Sequence, residues 1–184
     1  MQENNKNTLI VNLLGAPSSG KSMLMAETFA LLKCRNVDCE LVTEFAKELV
    51  WDERYKDMKD EIYIFAEQNH RLFRVCGQVD VIVTDRPLIL TILYNNRYGE
   101  GGEALNNLVL QEFNKHQNYN VLLNRVHKYN PIGRVQTEEE ANEIAISLKN
   151  FLDENNIQYD EFDGIRENAE KIVEEIVKRI NLSS

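Results

Sequence analysis

With 184 residues, 43% of them hydrophobic, the chain can bury one good core and is short for two. Its 30 acidic side chains against 21 lysines and arginines leave a net charge of −9, which argues against sequence-independent binding to nucleic acid. The three cysteines, Cys34, Cys39 and Cys76, match no metal-ligand spacing and read as free thiols of a reducing cytoplasm. No apolar run approaches the roughly 20 residues needed to span a bilayer. The expected organisation is a flexible polar N-terminus over residues 1–7 and one domain over 8–182.

Apolar runs alternate with amphipathic stretches, the pattern of a parallel sheet covered by helices. Residues 8–14 read as a strand that ends in glycine, and 21–33 then show helical spacing through Leu24, Phe29 and Leu32. A second short strand is expected over 39–43, a helical turn over 44–51 and an exposed connection over the charge-dense 52–60. Ile62, Phe65, Ala66, Leu72 and Val75 recur at helical intervals over 61–76, and Gly77 stops that helix. Residues 79–84 form the third expected strand, after which Asp85-Arg86-Pro87 opens a helix with Pro87 at its first position. Past the turn at Gly101-Gly102, 104–116 reads as helix and 119–123 as the fourth strand. Residues 125–136 are polar and contain Pro131 and Gly133, so they form a candidate mobile lid. Thr137-Glu138-Glu139-Glu140 has capping-box spacing for a helix reaching Asn155. A fifth strand over 157–162 and a last helix over 165–180 complete the pattern.

The string Gly15-Ala16-Pro17-Ser18-Ser19-Gly20-Lys21-Ser22 satisfies G-x-x-x-x-G-K-[ST]. There, backbone N–H groups wrap phosphates, the lysine reaches the β- and γ-phosphates and the serine meets Mg²⁺. The strand before it and the helix after it supply the setting in which a helix N-terminus faces an anion. ATP and Mg²⁺ are therefore the expected cofactors, with these residues and the adjoining Met23 around the phosphates. Asp85 ends an apolar strand, where P-loop proteins place a carboxylate for Mg²⁺; the alternative is that it caps the following helix. Glu44 ends the preceding strand and can accept the proton of an attacking hydroxyl, or it only starts a helix with favourable charge. Ligand chemistry in open parallel sheets gathers at the carboxyl ends of strands, so Ser22, Glu44 and Asp85 should converge on one crevice.

Phosphoryl transfer calls for cations from a closing element, and Arg125 and Arg134 flank the lid; the plainer reading is two solvated arginines. Arg86, Arg71 and Arg74 are candidates to clamp a substrate phosphate. Gln68 joins Glu44, Arg71 and Arg86 as an expected substrate contact, although the polar side of its helix reads equally as facing water. His70, His116 and His127 have no spacing that indicates a metal or a triad.

The P-loop string, with Glu44-Phe45-Ala46-Lys47-Glu48, Phe65-Ala66-Glu67-Gln68, Thr84-Asp85 and Gly133-Arg134, resembles the ATPase/kinase domain of the ribosylnicotinamide kinase family. It also resembles small P-loop ATPases or kinases encoded by bacteriophages, which would place the protein in a host cytoplasm. The resemblance implies an α/β, three-layer P-loop fold with helices on both faces of a five-stranded parallel sheet of order 2-3-1-4-5. It further implies ATP on the P-loop, Glu44 or Asp85 near the acceptor hydroxyl, and a lid bearing Arg125 and Arg134. Lys47 and Leu49 stand where that family tends to show an arginine and an aromatic residue. A second likeness is to thymidylate kinase, whose Asp-Arg motif and downstream tyrosine are echoed by Asp85-Arg86 and Tyr94, but Thr43-Glu44-Phe45 lacks that family's arginine and proline.

The function expected is an ATP-dependent kinase with a small nucleoside- or nucleotide-like acceptor and no membrane partner. A phage-type DNA 5-hydroxymethyluracil kinase is an alternative that needs a basic groove the sequence does not announce. An ATP-dependent regulatory switch is the other. Guanine specificity is disfavoured, because Asn114-Lys115-His116-Gln117 lacks the aspartate of Asn-Lys-x-Asp.

Overall fold

The computed structural model describes residues 6–182. Strands β1 (Leu9–Leu14), β2 (Cys39–Val42), β3 (Val81–Thr84), β4 (Gln117–Asn124) and β5 (Asp160–Asp163) form one sheet in the order β2-β3-β1-β4-β5. Every pairing is parallel. Between them run α1 (Lys21–Cys34), α2 (Phe45–Trp51), α3 (Glu61–Phe73), α4 (Leu90–Tyr98), α5 (Gly102–Phe113), α6 (Glu138–Glu154) and α7 (Ala169–Leu182).

All six residues of β1 are buried, as a central parallel strand covered on both faces requires. Leu9, Val11 and Leu13 pack with Leu24 and Leu32 of α1 and Ile172 and Ile176 of α7. Ile10 and Leu14 point the other way, against Phe65 of α3, Ile92 of α4, Val109 of α5 and Leu148 of α6. The result is a three-layer α/β/α P-loop NTPase fold. A smaller cluster of Phe45, Ala46, Leu49 and Ile64 fastens α2 to α3.

One polar residue interrupts the β1 run. The buried Asn12 amide donates to Oδ1 of both Asn118 and Asn120 at 2.9 Å. Asn118 in turn donates to the carbonyls of Phe113 and His116, and Asn120 to that of Gln158. Each amide is thus satisfied, which removes the desolvation cost of burying it.

Several boundaries differ from the sequence reading. The chain after Asp85 does not become a helix at Pro87: Leu90, Thr91 and Ile92 donate to the carbonyls three residues back, so the turn is wound tightly and α4 begins at Leu90. The last helix starts at Ala169, after a single turn over Arg166–Asn168. The capping box is present: Thr137 Oγ1 accepts from the Glu140 N–H at 3.2 Å and Glu140 Oε2 from the Thr137 N–H at 2.8 Å. Of the terminus expected to be flexible, residues 1–5 lie outside the described residues. Lys6, by contrast, is held by its N–H to Gly77 and by ion pairs to Asp38 and Asp80. No described helix is long and apolar enough to cross a membrane.

Candidate active site

β1 delivers the chain to the carboxyl edge of the sheet, and residues 15–20 turn it into α1. The turn leaves no room for side chains at two contacts. Gly20 has φ 91°, and a Cβ there would lie 2.6 Å from the Gly164 carbonyl oxygen; a Cβ on Gly164 would overlap the Ser19 carbonyl oxygen. The Gly164 N–H donates to the Asn124 carbonyl at 2.9 Å, so the loop is wedged against the ends of β4 and β5. α1 starts with no side-chain cap and no acid in its first turn, which leaves its first amides and positive end for an anion. Lys21 Nζ curls over the loop, donating to the carbonyls of Gly15 (2.8 Å) and Ala16 (3.0 Å). Burial pushes the Lys21 ammonium below its ordinary pKa, while Glu44 and Asp85 oppose that shift. A phosphate beside it would favour the charged form in the same sense as those carboxylates.

Asp85, 3% exposed, joins two elements. Its Oδ2 accepts from Ser22 Oγ at 2.7 Å and its Oδ1 from the Glu44 N–H at 3.1 Å. It does not cap the following helix, whose N-cap is Ile89 without a side-chain bond. Glu44 sits at the N-cap of α2 yet makes no cap bond, and its carboxylate lies 3.8 Å from Arg86 Nη1. Ser22, Glu44 and Asp85 therefore do meet in one crevice.

Arg86 is almost fully buried. Its Nη2 lies 3.5 Å from Glu61 Oε2, its guanidinium stacks 4.4 Å from the Tyr94 ring centre, and its Nε has no partner. Burial raises the Glu61 carboxyl pKa, opposed by Arg86, and pushes the Tyr94 phenol up to about 12.

Lys21, Ser22, Glu44, Glu61, Arg86 and Tyr94 line a cavity of about 710 Å³, a size that suits a small molecule. Residues 17–23 form one end. Glu44, Glu61, Arg86 and Tyr94, with Met58 and Ile64, form the other. Lys128, Asn130 and Arg134 line it from the lid segment. That segment is irregular along 125–136 and rests on the phosphate loop and on the C-terminal end of α2. The Asn130 N–H donates to Ser18 Oγ at 3.0 Å, and Gly133 packs so closely on Trp51 that a Cβ would lie 3.0 Å from the indole. Arg134 Nη1 donates to the carbonyls of Asn130 and Ile132, the latter at 3.1 Å.

Of the expected site residues, Gly15, Ala16 and Asp85 sit beside the cavity without lining it, and Arg125, Arg71, Arg74 and Gln68 do not line it either. Arg125 is tied back to Glu138 at 3.4 Å and to Asn142, because α6 presents an acceptor pair beside it. Arg71 forms a two-pronged pair with Glu48 (2.7 and 2.8 Å) over the Phe45 ring. Gln68 is buried and turned toward backbone: Oε1 accepts from the Phe45 N–H at 3.0 Å and Nε2 donates to the Thr43 carbonyl at 3.3 Å. Sequence reading missed Glu61. The signal was available: the buried stripe of α3 is Glu61, Ile64, Phe65, Gln68 and Leu72, which puts a carboxylate on an apolar face, while Ile62, taken as part of that stripe, is exposed.

No cluster of three His, Cys, Asp or Glu among the described residues is placed to hold a metal. Ser22 Oγ and Asp85 Oδ2 instead offer two hard oxygens beside the phosphate loop, a donor set that fits a dication shared with bound phosphates.

The sheet order and the loop geometry define a P-loop NTPase fold. The chain belongs to the AAA domain family, whose AAA_28 profile matches residues 10–168. Among solved structures, a NadR protein crystallised with NR superposes with a TM-score of 0.67 at 15% identity, over 93% of this chain and 52% of that one. A NadR protein in complex with NAD and AMP-PNP gives 0.65 at 15% identity, over 91% and 49%. The chain thus spans about half the length of these structures, and at this identity the likeness is one of fold. No curated protein matches it in sequence.

Proposed function

We propose that the protein is an ATP-dependent kinase that transfers the γ-phosphoryl group to a hydroxyl of a nucleoside- or nucleotide-like acceptor. The observation that carries this reading is the single cavity running from the phosphate loop to the Glu44–Arg86–Glu61 cluster. It offers room for a second reactant opposite the loop. Residues 15–23 and the end of α1 hold the triphosphate, and Lys21 leaves the loop carbonyls for phosphate oxygens. Ser22 and Asp85 would hold Mg²⁺, which when bound would offset charge on the phosphates. Arg134, already over the cavity, supplies a further cation for the transferred group.

Glu44 is the base, because its carboxylate is free of capping duty and faces the cavity, whereas both Asp85 oxygens already accept bonds. The acceptor oxygen forms a bond to the γ-phosphorus, the bond from that phosphorus to the bridging oxygen of ADP breaks, and the acceptor proton passes to Glu44. Arg86 and Tyr94 orient the acceptor. The test follows the label of γ-labelled ATP with Mg²⁺ across nucleosides, nucleoside monophosphates and hydroxymethyluracil DNA. Transfer to one class, reduced about 10³-fold in Lys21→Ala, supports the reading. Release of phosphate to water alone, with every acceptor, overturns it in favour of an ATP-dependent switch.

A further inference from the structure

Glu44 stands at a helix start, and an acidic side chain there normally folds back onto the first free amides of its own helix, where the helix dipole also attracts it. It does not do so here. Two amides beside it are served by other elements. The Glu44 N–H donates to Asp85 Oδ1 from the end of β3, and the Phe45 N–H donates to Gln68 Oε1 from the middle of α3. Gln68 Nε2 then reaches the Thr43 carbonyl, so one amide group grips the chain on both sides of Glu44. Gln68 is 1% exposed. Such a buried amide, bonded through both its oxygen and its nitrogen, holds a fixed orientation that a surface side chain would not.

We infer that Gln68 is a positioning residue that caps α2 in place of Glu44, and so keeps the Glu44 carboxylate turned into the cavity. The inference rests on the reading of Glu44 as base. It explains why a glutamine lies among Ile64, Phe65 and Leu72 on the buried stripe of α3: an apolar residue of similar size would fill the space but leave the Phe45 amide without a partner. With that grip gone, the Glu44 carboxylate would be released to fold back onto the free amides of α2. Gln68 touches no residue of the phosphate loop among its hydrogen-bond partners, so its effect should fall on turnover rather than on ATP binding.

The experiment compares Gln68→Leu, Glu44→Gln and the double variant in two measurements. The first is steady-state transfer to the acceptor found above. Gln68→Leu is expected to lower kcat about 10- to 100-fold, the scale of a misplaced catalytic group, with KM for ATP within about twofold of the parent. In the Glu44→Gln background the same change should cost almost nothing more, because both act through one carboxylate. Equal losses in both backgrounds would overturn the inference and leave Gln68 a purely structural residue. The second measurement needs no acceptor: amide hydrogen exchange at Ala46 and Lys47, the positions an N-cap side chain serves. Exchange there should slow in Gln68→Leu as the Glu44 carboxylate folds back, and that slowing should vanish in Gln68→Leu/Glu44→Ala. Unchanged exchange would overturn the inference. A parent protein that transfers phosphate to no acceptor would overturn the kinase reading instead, and the exchange result would then decide the role of Gln68 by itself.

Discussion

The two ends of the cavity are built in opposite ways. The end proposed for phosphate comes from consecutive residues, 17–23, held by backbone geometry between the end of one strand and the start of one helix. The end proposed for the acceptor gathers Glu44, Met58, Glu61, Arg86 and Tyr94 from five places along the chain. On the proposed reading, main-chain amides bind in the first, so the sequence must only permit a conformation. In the second, side chains do it, and each must be carried to its place by packing elsewhere. The phosphate end should therefore be sensitive to small steric changes in its backbone, and the acceptor end to changes in charge.

The sharpest steric probe is Gly164→Ala, well away from the P-loop in sequence. The added methyl would overlap the Ser19 carbonyl, and backbone on both sides leaves nothing flexible to yield. We expect a loss of about 1–3 kcal/mol in stability, the usual cost of overpacking, together with weaker ATP binding, read by denaturation and by nucleotide titration. Normal affinity in this variant would break the contrast between the two ends.

A charge probe at the other end is Glu61→Gln. Burial raises the Glu61 pKa above its unfolded value, so the folded state binds the proton more tightly and this group's contribution to stability declines as pH rises through the folded pKa. Removing the ionisation should raise the melting temperature of Glu61→Gln relative to the parent at pH 8 more than at pH 4. A difference that is the same at both values would mean that Arg86 offsets the burial in full.

The smallest effect is expected at Arg125. Its ties to Glu138 and Asn142 are near the surface, and such pairs are worth about 0–1 kcal/mol. Arg125→Ala should change transfer less than about threefold, while Arg134→Ala, whose parent side chain lines the cavity, should change it more. A large loss in Arg125→Ala would show instead that the lid swings this residue inward during turnover.

The same contrast explains what could be read from sequence. The P-loop, the five strands and the capping box are local patterns, and local patterns survive in one dimension. Asp85 was legible because strand ends are where open parallel sheets place their chemistry. Arg71 and Gln68 were misplaced because a polar side chain on a helix gives no sign of whether a cavity, a carboxylate or a backbone amide waits opposite it. Arg125 was misplaced for the same reason: its partners arrive from the far side of the lid. Glu61 was missed because the helical stripe was drawn through Ile62, one residue away from the face that α3 buries.

The buried asparagines have a bearing on this geometry. Inside-outside patterning forbids a one-residue slip between neighbouring strands but tolerates a slip of two, which displaces them by about 6.6 Å. Between β1 and β4, where Asn12 pairs with Asn120 and Leu14 with Leu122, such a slip would set Asn12 against Leu122 or Asn120 against Leu14. The first leaves the Asn12 amide facing an apolar side chain, and the second parts Asn120 from Asn12. The three asparagines act as a vernier for the central pair of strands, and because β1 ends in the phosphate loop and β4 leads into the lid, they also set the height at which lid and loop meet.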